Sequence, residues 1–378
     1  MTEKLIHKTD TRPFVLQIQE GLRAQIRSGA LKPGEKISSM RQLAAESGTS
    51  LGIVKQALTT LATEGFLRSH PGRGVYVAES QRTQRSVALV LPALDTEQTL
   101  KIVKGVKAGL GAGSSRLLVM AADFDFEQEL DLFSSLNASF VAGAIIVPPP
   151  VNRYTEPLRA LRRAGVPFVL VDTVPESLEV DSVQADRVQL GRLAFGYLLE
   201  RGHRKIGIVD HTGDTLTHRE LREGADEALR AVGLRFADMP RAITDVTDLQ
   251  PGTPWANGER ATIELLRNHP ELTAIIGMND NLSLGVLRGA RASGRVVPGQ
   301  LSVLAVGDLS AFAVSDPPMT AINQPHEAMG FEAAKRLVEL LDAPGLLPPK
   351  RIQLEPQLIE RSSVSTRAKY KKGRIVSA

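Results

Sequence analysis

The sequence predicts a multidomain chain: a small N-terminal α+β unit of three short helices and a hairpin, followed by a larger, two-lobed α/β body. Three observations point there. Residues 14–77 carry three apolar stripes at helical spacing and then a glycine-punctuated pair of short strands. From Val87 onward, short apolar runs alternate with amphipathic stretches, the pattern of a parallel sheet covered on both faces. The charge is uneven: residues 1–86 carry 13 Lys and Arg against 7 Asp and Glu, whereas the remainder is slightly acidic. A basic module on a near-neutral body suits a polyanionic partner for the module alone.

In the N-terminal unit, Ile18, Leu22 and Ile26 form one helical stripe, closed by the Pro33-Gly34 turn. Ser39 precedes Met40 with Gln42 three residues on, the spacing of a capping box. Leu43 and Ala44 give the second helix its apolar face, and Gly48 ends it. A third helix starts at Thr49-Ser50 and carries Val54, Leu58 and Leu61. Helices this short cannot each bury a face alone, so they must pack on one another. Phe66-Leu67-Arg68 and Val75-Tyr76-Val77 then flank Pro71-Gly72-Arg73-Gly74 as a hairpin. Such a unit, a winged helix-turn-helix, can set one helix in a major groove while a basic tip grips the neighbouring backbone. Arg41, Lys55, Arg68 and Arg73 are the cations placed for it.

Residues 14–77 resemble the DNA-binding domain of the GntR family of bacterial repressors, through IRSG, LKPGEKI, the Ser39-Met40-Arg41 segment, VKQAL, LATEGFL and the GRG tip. The resemblance implies DNA contacts from Arg41, from Ser50, Leu51, Gly52, Ile53 and Lys55 at the start of the third helix, and from Gly72, Arg73 and Gly74 in the wing. Departures are specific. The family usually has Pro-Ser-Glu-Arg at 38–41, arginine in place of Leu51, threonine in place of Ile53 and arginine in place of Lys55. Arginine supplies a bidentate fork that leucine and lysine do not reproduce. The usual operator sequence therefore does not carry over.

Glu79 to Ser86 is polar and aperiodic and reads as a linker. Strands are expected at 87–91, 117–121, 142–147 and 166–171, with helices near 98–110, 127–138 and 154–163. Asp95, Asp123 and Asp172 fall at or just beyond strand carboxyl ends, where open α/β sheets bind ligands. A second set follows: helices at 187–200, 218–232, 257–268 and 281–292, with strands at 205–210, 273–278 and 302–306. A long helix is expected at 325–341. Two tandem α/β sets suggest two lobes with a cleft between them.

Residues 86–362 resemble the effector-binding domain of LacI/GalR-type repressors, itself related to periplasmic sugar-binding proteins. The resemblance rests on AGAIIVPPP, AGVPFVLVD, LGRLAFGYLLERGHRKIGIV, the long stretch from Thr273, and LEPQLIERSS. It implies three chain crossovers between lobes, the later two near residues 315 and 343. The expected boundaries are a flexible start at 1–12, a DNA-binding domain at 13–78, a linker at 79–86, the two-lobed domain at 87–362 and a basic tail at 363–378. Lobe 1 is assigned 87–184 and 316–343, and lobe 2 is assigned 185–315 and 344–362.

In the cleft the resemblance implies polar contacts from Asp186, from Asn279 of the Asn279-Asp280 pair, and from Asp308. Asn and Asp at strand-to-helix junctions also serve as helix caps, and both readings stand at this point. Leu221 occupies the position of a family arginine that grips sugar hydroxyls, so Arg219 is the expected replacement. Ala305-Val306-Gly307-Asp308 stands where the family has Gly-Phe-Asp-Asp, which removes one aspartate. Trp255 and Phe124 are the aromatics expected near the cleft, with a structural role as the equal alternative for Trp255. A GntR-type head on a LacI-type body resembles the arabinose-repressor group of hybrid regulators.

Several classes are excluded. No cysteine is present, which removes disulfides and thiolate chemistry. No HExxH or phosphate-cradling loop occurs, so no enzyme and no cofactor are expected. His203, His211 and His218 are scattered along the chain, and no metal site is expected from them. No apolar signal region or membrane-length run occurs, and a cytoplasmic location is expected. The expected function is sequence-specific regulation of transcription, as a homodimeric repressor on double-stranded operator DNA under a small polar, sugar-like effector. The competing readings are a ligand-binding protein without regulatory output and a regulator that has lost its effector.

Overall fold

The structure is a computed structural model. It describes residues 12–367 except 28, 33, 64–65, 71–72, 79–84, 112–114, 124, 138, 150–153, 176, 212–215, 246–252 and 344. The expected flexible start up to residue 11, most of the linker, Phe124, Gly72 and the tail beyond 367 lie outside the described residues. The chain divides into two compact units, 1–85 and 86–378.

The first unit holds α1 (Phe14–Arg27), α2 (Met40–Ser47), α3 (Leu51–Thr63), β1 (Leu67–His70) and β2 (Gly74–Val77). Its core gathers the stripes read from sequence: Ile18 and Leu22 from α1, Leu43 from α2, and Val54, Leu58 and Leu61 from α3, closed by Leu67 and Val77. Ser39 caps α2, its Oγ accepting from the Gln42 N–H at 3.2 Å. Only half of the capping box forms, because the Gln42 side chain turns to Glu46 instead. Gly48, at φ +62°, ends α2 in the left-handed conformation. β1 and β2 pair antiparallel from Leu67–Val77 to His70–Gly74.

The second unit begins with β3 (Arg85–Leu91), α4 (Glu97–Leu110), β4 (Ser115–Ala121), α5 (Phe126–Ser135), β5 (Gly143–Ile146), α6 (Thr155–Arg163), β6 (Phe168–Val171) and β7 (Ser182–Ala185). It continues through α7 (Arg187–Glu200), β8 (Ile206–His211), α8 (Leu216–Arg230), β9 (Arg241–Thr244), α9 (Ala256–Asn268), β10 (Ala274–Gly277), α10 (Asp280–Ala292), β11 (Ser302–Val306), α11 (Ser310–Val314) and β12 (Thr320–Asn323). α12 (His326–Asp342), β13 (Arg351–Leu354) and β14 (Gln357–Ile359) complete it.

Two six-stranded sheets result, in the orders β13-β7-β6-β5-β3-β4 and β14-β12-β11-β10-β8-β9. The strands at their centres, β5, β6, β10 and β11, are buried along their whole length. That explains their unbroken apolar sequence. β14 is added antiparallel to its neighbour, at the edge of the second sheet. α12 packs on α4 and the first sheet, while α7 pairs with α8 and α9 with α10 on the second.

The crossovers between sheets differ in place from the expectation. The first falls between β7 and α7, as expected. The second follows β12, at 324–325, and the third follows β13, at 355–356. β12 reads TAIN, too short and too mixed to signal a strand, yet it pairs parallel with β11 and belongs to the second sheet. β13 likewise returns to the first sheet beside β7. Lobe 1 therefore takes up α12 and β13, rather than 316–343. No helix among the described residues is long and apolar enough to cross a membrane.

Candidate functional site

The first candidate site is a face of the N-terminal unit. α3 spends Val54, Ala57, Leu58 and Leu61 on the core. Its other face starts at Ser50, whose Oγ accepts from the Ile53 N–H at 3.4 Å, and continues through Leu51, Gly52 and Lys55. Leu51 is 50% exposed, an apolar side chain that the unit does not use for its own stability. Ile53 is turned partly into the core and serves packing as well. Arg41, at the start of α2, and Arg68 and Arg73, on the hairpin, are all exposed. Gly74 has φ +113°, a backbone conformation that favours glycine at the base of the wing.

The second candidate site is the cleft between the two sheets' lobes, a cavity of about 290 Å³. Its polar lining includes Gln98, Asp172, Arg187, Asp210, His218 and Asn279. Arg187 donates to the Asp172 backbone carbonyl at 3.1 Å and pairs with its carboxylate. That links the start of α7 in lobe 2 to the end of β6 in lobe 1. Asp172 holds a left-handed backbone, φ +73°, unusual outside glycine and typical of a turn fixed by its neighbours. Gln98 of α4 donates to the Asp280 carboxylate of α10 across the cleft. Nearby, Lys101 donates to the Asp308 carbonyl at 2.8 Å, and Glu97 accepts from the Ser310 N–H at 2.9 Å.

Asp280 is 6% exposed. Burial pushes its carboxyl up to about 6, against the opposing hydrogen bond from Gln98. Gly307 makes room for it: a Cβ at 307 would lie 2.0 Å from Asp280 Oδ1. The glycine that breaks the family pattern is thus the floor beneath a buried carboxyl. Burial also pushes the His326 imidazole below its ordinary range, so it lines the cleft as a neutral ring.

Of the expected cleft residues, Asn279 lines the cavity. It also caps α10, its Oδ1 accepting from the Leu282 N–H at 2.8 Å. Asp186 does not line the cavity; it caps α7, accepting from the Gln189 N–H at 2.8 Å. Asp308 is committed to Arg361, at 2.8 Å and 3.2 Å, and also stays outside the lining. Arg219 is exposed on α8 and outside the lining, whereas Leu221, two residues on, faces the cavity. An α-helix turns about 100° per residue, so Arg219 and Leu221 occupy opposed faces. Trp255 precedes α9 and stacks with Arg288 outside the cavity, a packing role. Of the three strand-end aspartates, only Asp172 lines it.

The histidines need a correction. His203 is structural, its ring nitrogens each 3.0 Å from a partner, Thr273 Oγ1 and the Ser365 carbonyl. His211 and His218, however, are brought together with Asp210 at the cleft wall, one ligand atom of each lying within 4.8 Å of the others. Asp210 stands one residue before the end of β8 as Asp172 follows β6, so the strand-end rule applied to IVDH would have found it. His218 arrives from the next helix, and no local spacing shows that.

Comparison with known proteins bears on both sites. Residues 14–77 match the bacterial regulatory proteins of the gntR family, and residues 195–364 match the periplasmic binding protein-like domain. The chain is 31% identical over 318 residues to the HTH-type transcriptional regulator CelR of Thermobifida fusca, which spans 82% of this chain and 88% of the relative. It is 25% identical over 370 residues to the arabinose metabolism transcriptional repressor of Geobacillus stearothermophilus, spanning 94% of this chain and 99% of that one. Among solved structures, the transcriptional regulator CelR–cellobiose complex matches with a TM-score of 0.65 at 26% identity, covering 86% of this chain and 100% of the other.

Proposed function

The chain belongs to the LacI/GalR-type family of bacterial transcriptional regulators, here with a gntR-family head, and from that premise we propose how its residues divide the work. It is a DNA-binding regulator whose relatives are transcriptional regulators rather than enzymes. The observation that carries the assignment of the DNA-reading face is the exposed start of α3. Leu51, Gly52 and Lys55 serve no core there, and Arg41, Arg68 and Arg73 are exposed on the same unit.

In this reading the first turn of α3 enters the major groove. Ser50 and Gly52 allow close approach, and Leu51 meets a thymine methyl rather than a guanine edge. Lys55, Arg41 and the wing cations hold phosphates, with Gly74 letting the hairpin come close to the backbone. Replacing Arg41, Lys55 and Arg73 together by alanine should lower operator affinity and reduce the salt slope by about one unit for each phosphate no longer held. A folded triple variant with unchanged affinity and slope would exclude this face.

One head makes few base contacts, so a homodimer on a pseudo-palindromic site is the proposed binding form. Sedimentation of a DNA-bound monomer would refute it. The proposed effector is a small polyhydroxy, sugar-like molecule in the cleft, and its proposed action is relief of repression. The support is the cavity's size and its acceptors, Asp172, Asn279 and Gln98, together with a relative whose name concerns arabinose metabolism and a solved relative in complex with cellobiose. Asn279 is the proposed hydroxyl contact from lobe 2. The proposal for Asp186, Arg219 and Asp308 is support of the cleft rather than contact. The signal reaches the head through the linker at 79–86, and it requires the ligand to bind two geometries of the body unequally.

A further inference from the structure

We propose that the cleft wall of lobe 2 carries a divalent transition-metal site of the zinc class, with Asp210, His211 and His218 as its ligands. Asp210 and His211 are the last two residues of β8, and His218 lies in the first turn of α8. Each offers one donor atom, and the three atoms lie within 4.8 Å of one another. Two ligands held about 2.0–2.1 Å from one zinc at tetrahedral angles stand roughly 3.4 Å apart. His218 Nε2 is 3.7 Å from Asp210 Oδ1, close to that separation and too long for a hydrogen bond.

The set is prepared for a cation in other ways. Asp210 is 4% exposed, and its Oδ1 is oriented by the His211 N–H at 2.8 Å. A carboxylate thus stands at a buried wall beside two imidazoles. The His211 and His218 rings meet edge to face with centroids 5.2 Å apart. Two imidazoles and one carboxylate suit zinc and its neighbours in the first transition row and disfavour magnesium, which prefers all-oxygen octahedra. Three protein ligands leave a coordination position open. All three residues line the cavity, so that position faces the space an organic ligand would take. The proposal stands independently of the sugar reading, since any hydroxyl, carboxylate or water can complete the coordination.

The test uses full-length, tag-free protein stripped of metal by chelation and titrated calorimetrically with zinc, with magnesium as the hard-cation control. One zinc per chain and no magnesium are expected, and cobalt in place of zinc should give visible ligand-field bands. His211→Ala and His218→Gln should each weaken zinc binding by about 100-fold or more, at or beyond the loss usually seen for an outer-shell partner. Asn279→Ala and His269→Ala should leave it unchanged, which separates failure of this site from failure of the sugar reading. Wild-type protein that takes up no zinc, or His211→Ala and His218→Gln variants that bind it as tightly as wild type, overturns the assignment.

Discussion

Asp280 concentrates the residue-scale physics of the cleft. It begins α10, sits over Gly307 and receives the Gln98 side chain from the opposite lobe. Its carboxyl, pushed up to about 6 by burial, binds a proton in the folded state that it releases in the unfolded one across the interval from the ordinary carboxylate range to about 6. Folding then binds more protons than unfolding, so this group's contribution to stability is present at low pH and lost as pH rises through about 6. Asp280→Asn removes that loss. Relative to wild type, the variant should gain about 1.4 kcal/mol between pH about 5 and pH about 8, read from urea midpoints at the two pH values. Equal pH dependence in the two proteins would show that Asp280 is not the buried acid described. At this scale the sequence was legible only in part. Asn279 and Asp172 stand at strand ends, as Asp186 and Asp308 stand near them, and residue type does not separate those that face the cleft from those that cap a helix or pair with an arginine. That choice depends on the direction in which each loop leaves its sheet.

At the scale of elements, the α7–α8 pair shows how the cleft wall is placed. A Cβ at Gly191 would lie 2.1 Å from the Leu221 carbonyl oxygen, and one at Gly224 would lie 1.8 Å from the Val188 carbonyl oxygen. The two helices meet backbone to backbone, and α8 carries His218 and Leu221 to the cavity. Gly224→Val must force the helices apart, at a cost of about 3 kcal/mol, and move that wall. The expected result is a lower urea midpoint together with weaker ligand binding. A variant with wild-type stability would contradict the close crossing. The long elements were readable from the sequence, among them α7 at 187–200 and α12 near 325–341. β7, β9, β12, β13 and β14 were not readable. They are three or four residues long, read SVQA, RAIT, TAIN, RIQL and QLI, and lie at or next to sheet edges. Strands of that kind are specified by the neighbour they pair with rather than by their own pattern. Missing β12 and β13 displaced the two later crossovers.

On the scale of the whole molecule, the proposed regulation is that occupancy of the cleft in the second unit changes how strongly the first unit holds DNA. The division of labour was visible in the sequence, because the head is net basic while the remainder is slightly acidic, and the two halves differ in period. The coupling between the units was not, since it is a difference in free energy between two states of the body and leaves no local signature. The most direct test is operator-DNA fluorescence anisotropy with full-length protein, with and without a cleft ligand at saturation. The ligand would be selected by thermal shift from L-arabinose, D-ribose and cellobiose. It should change operator affinity by about 5–150-fold, and Asn279→Ala should abolish the change at the same ligand concentration. A ligand shown to occupy the cleft that leaves operator affinity the same would contradict the proposed coupling.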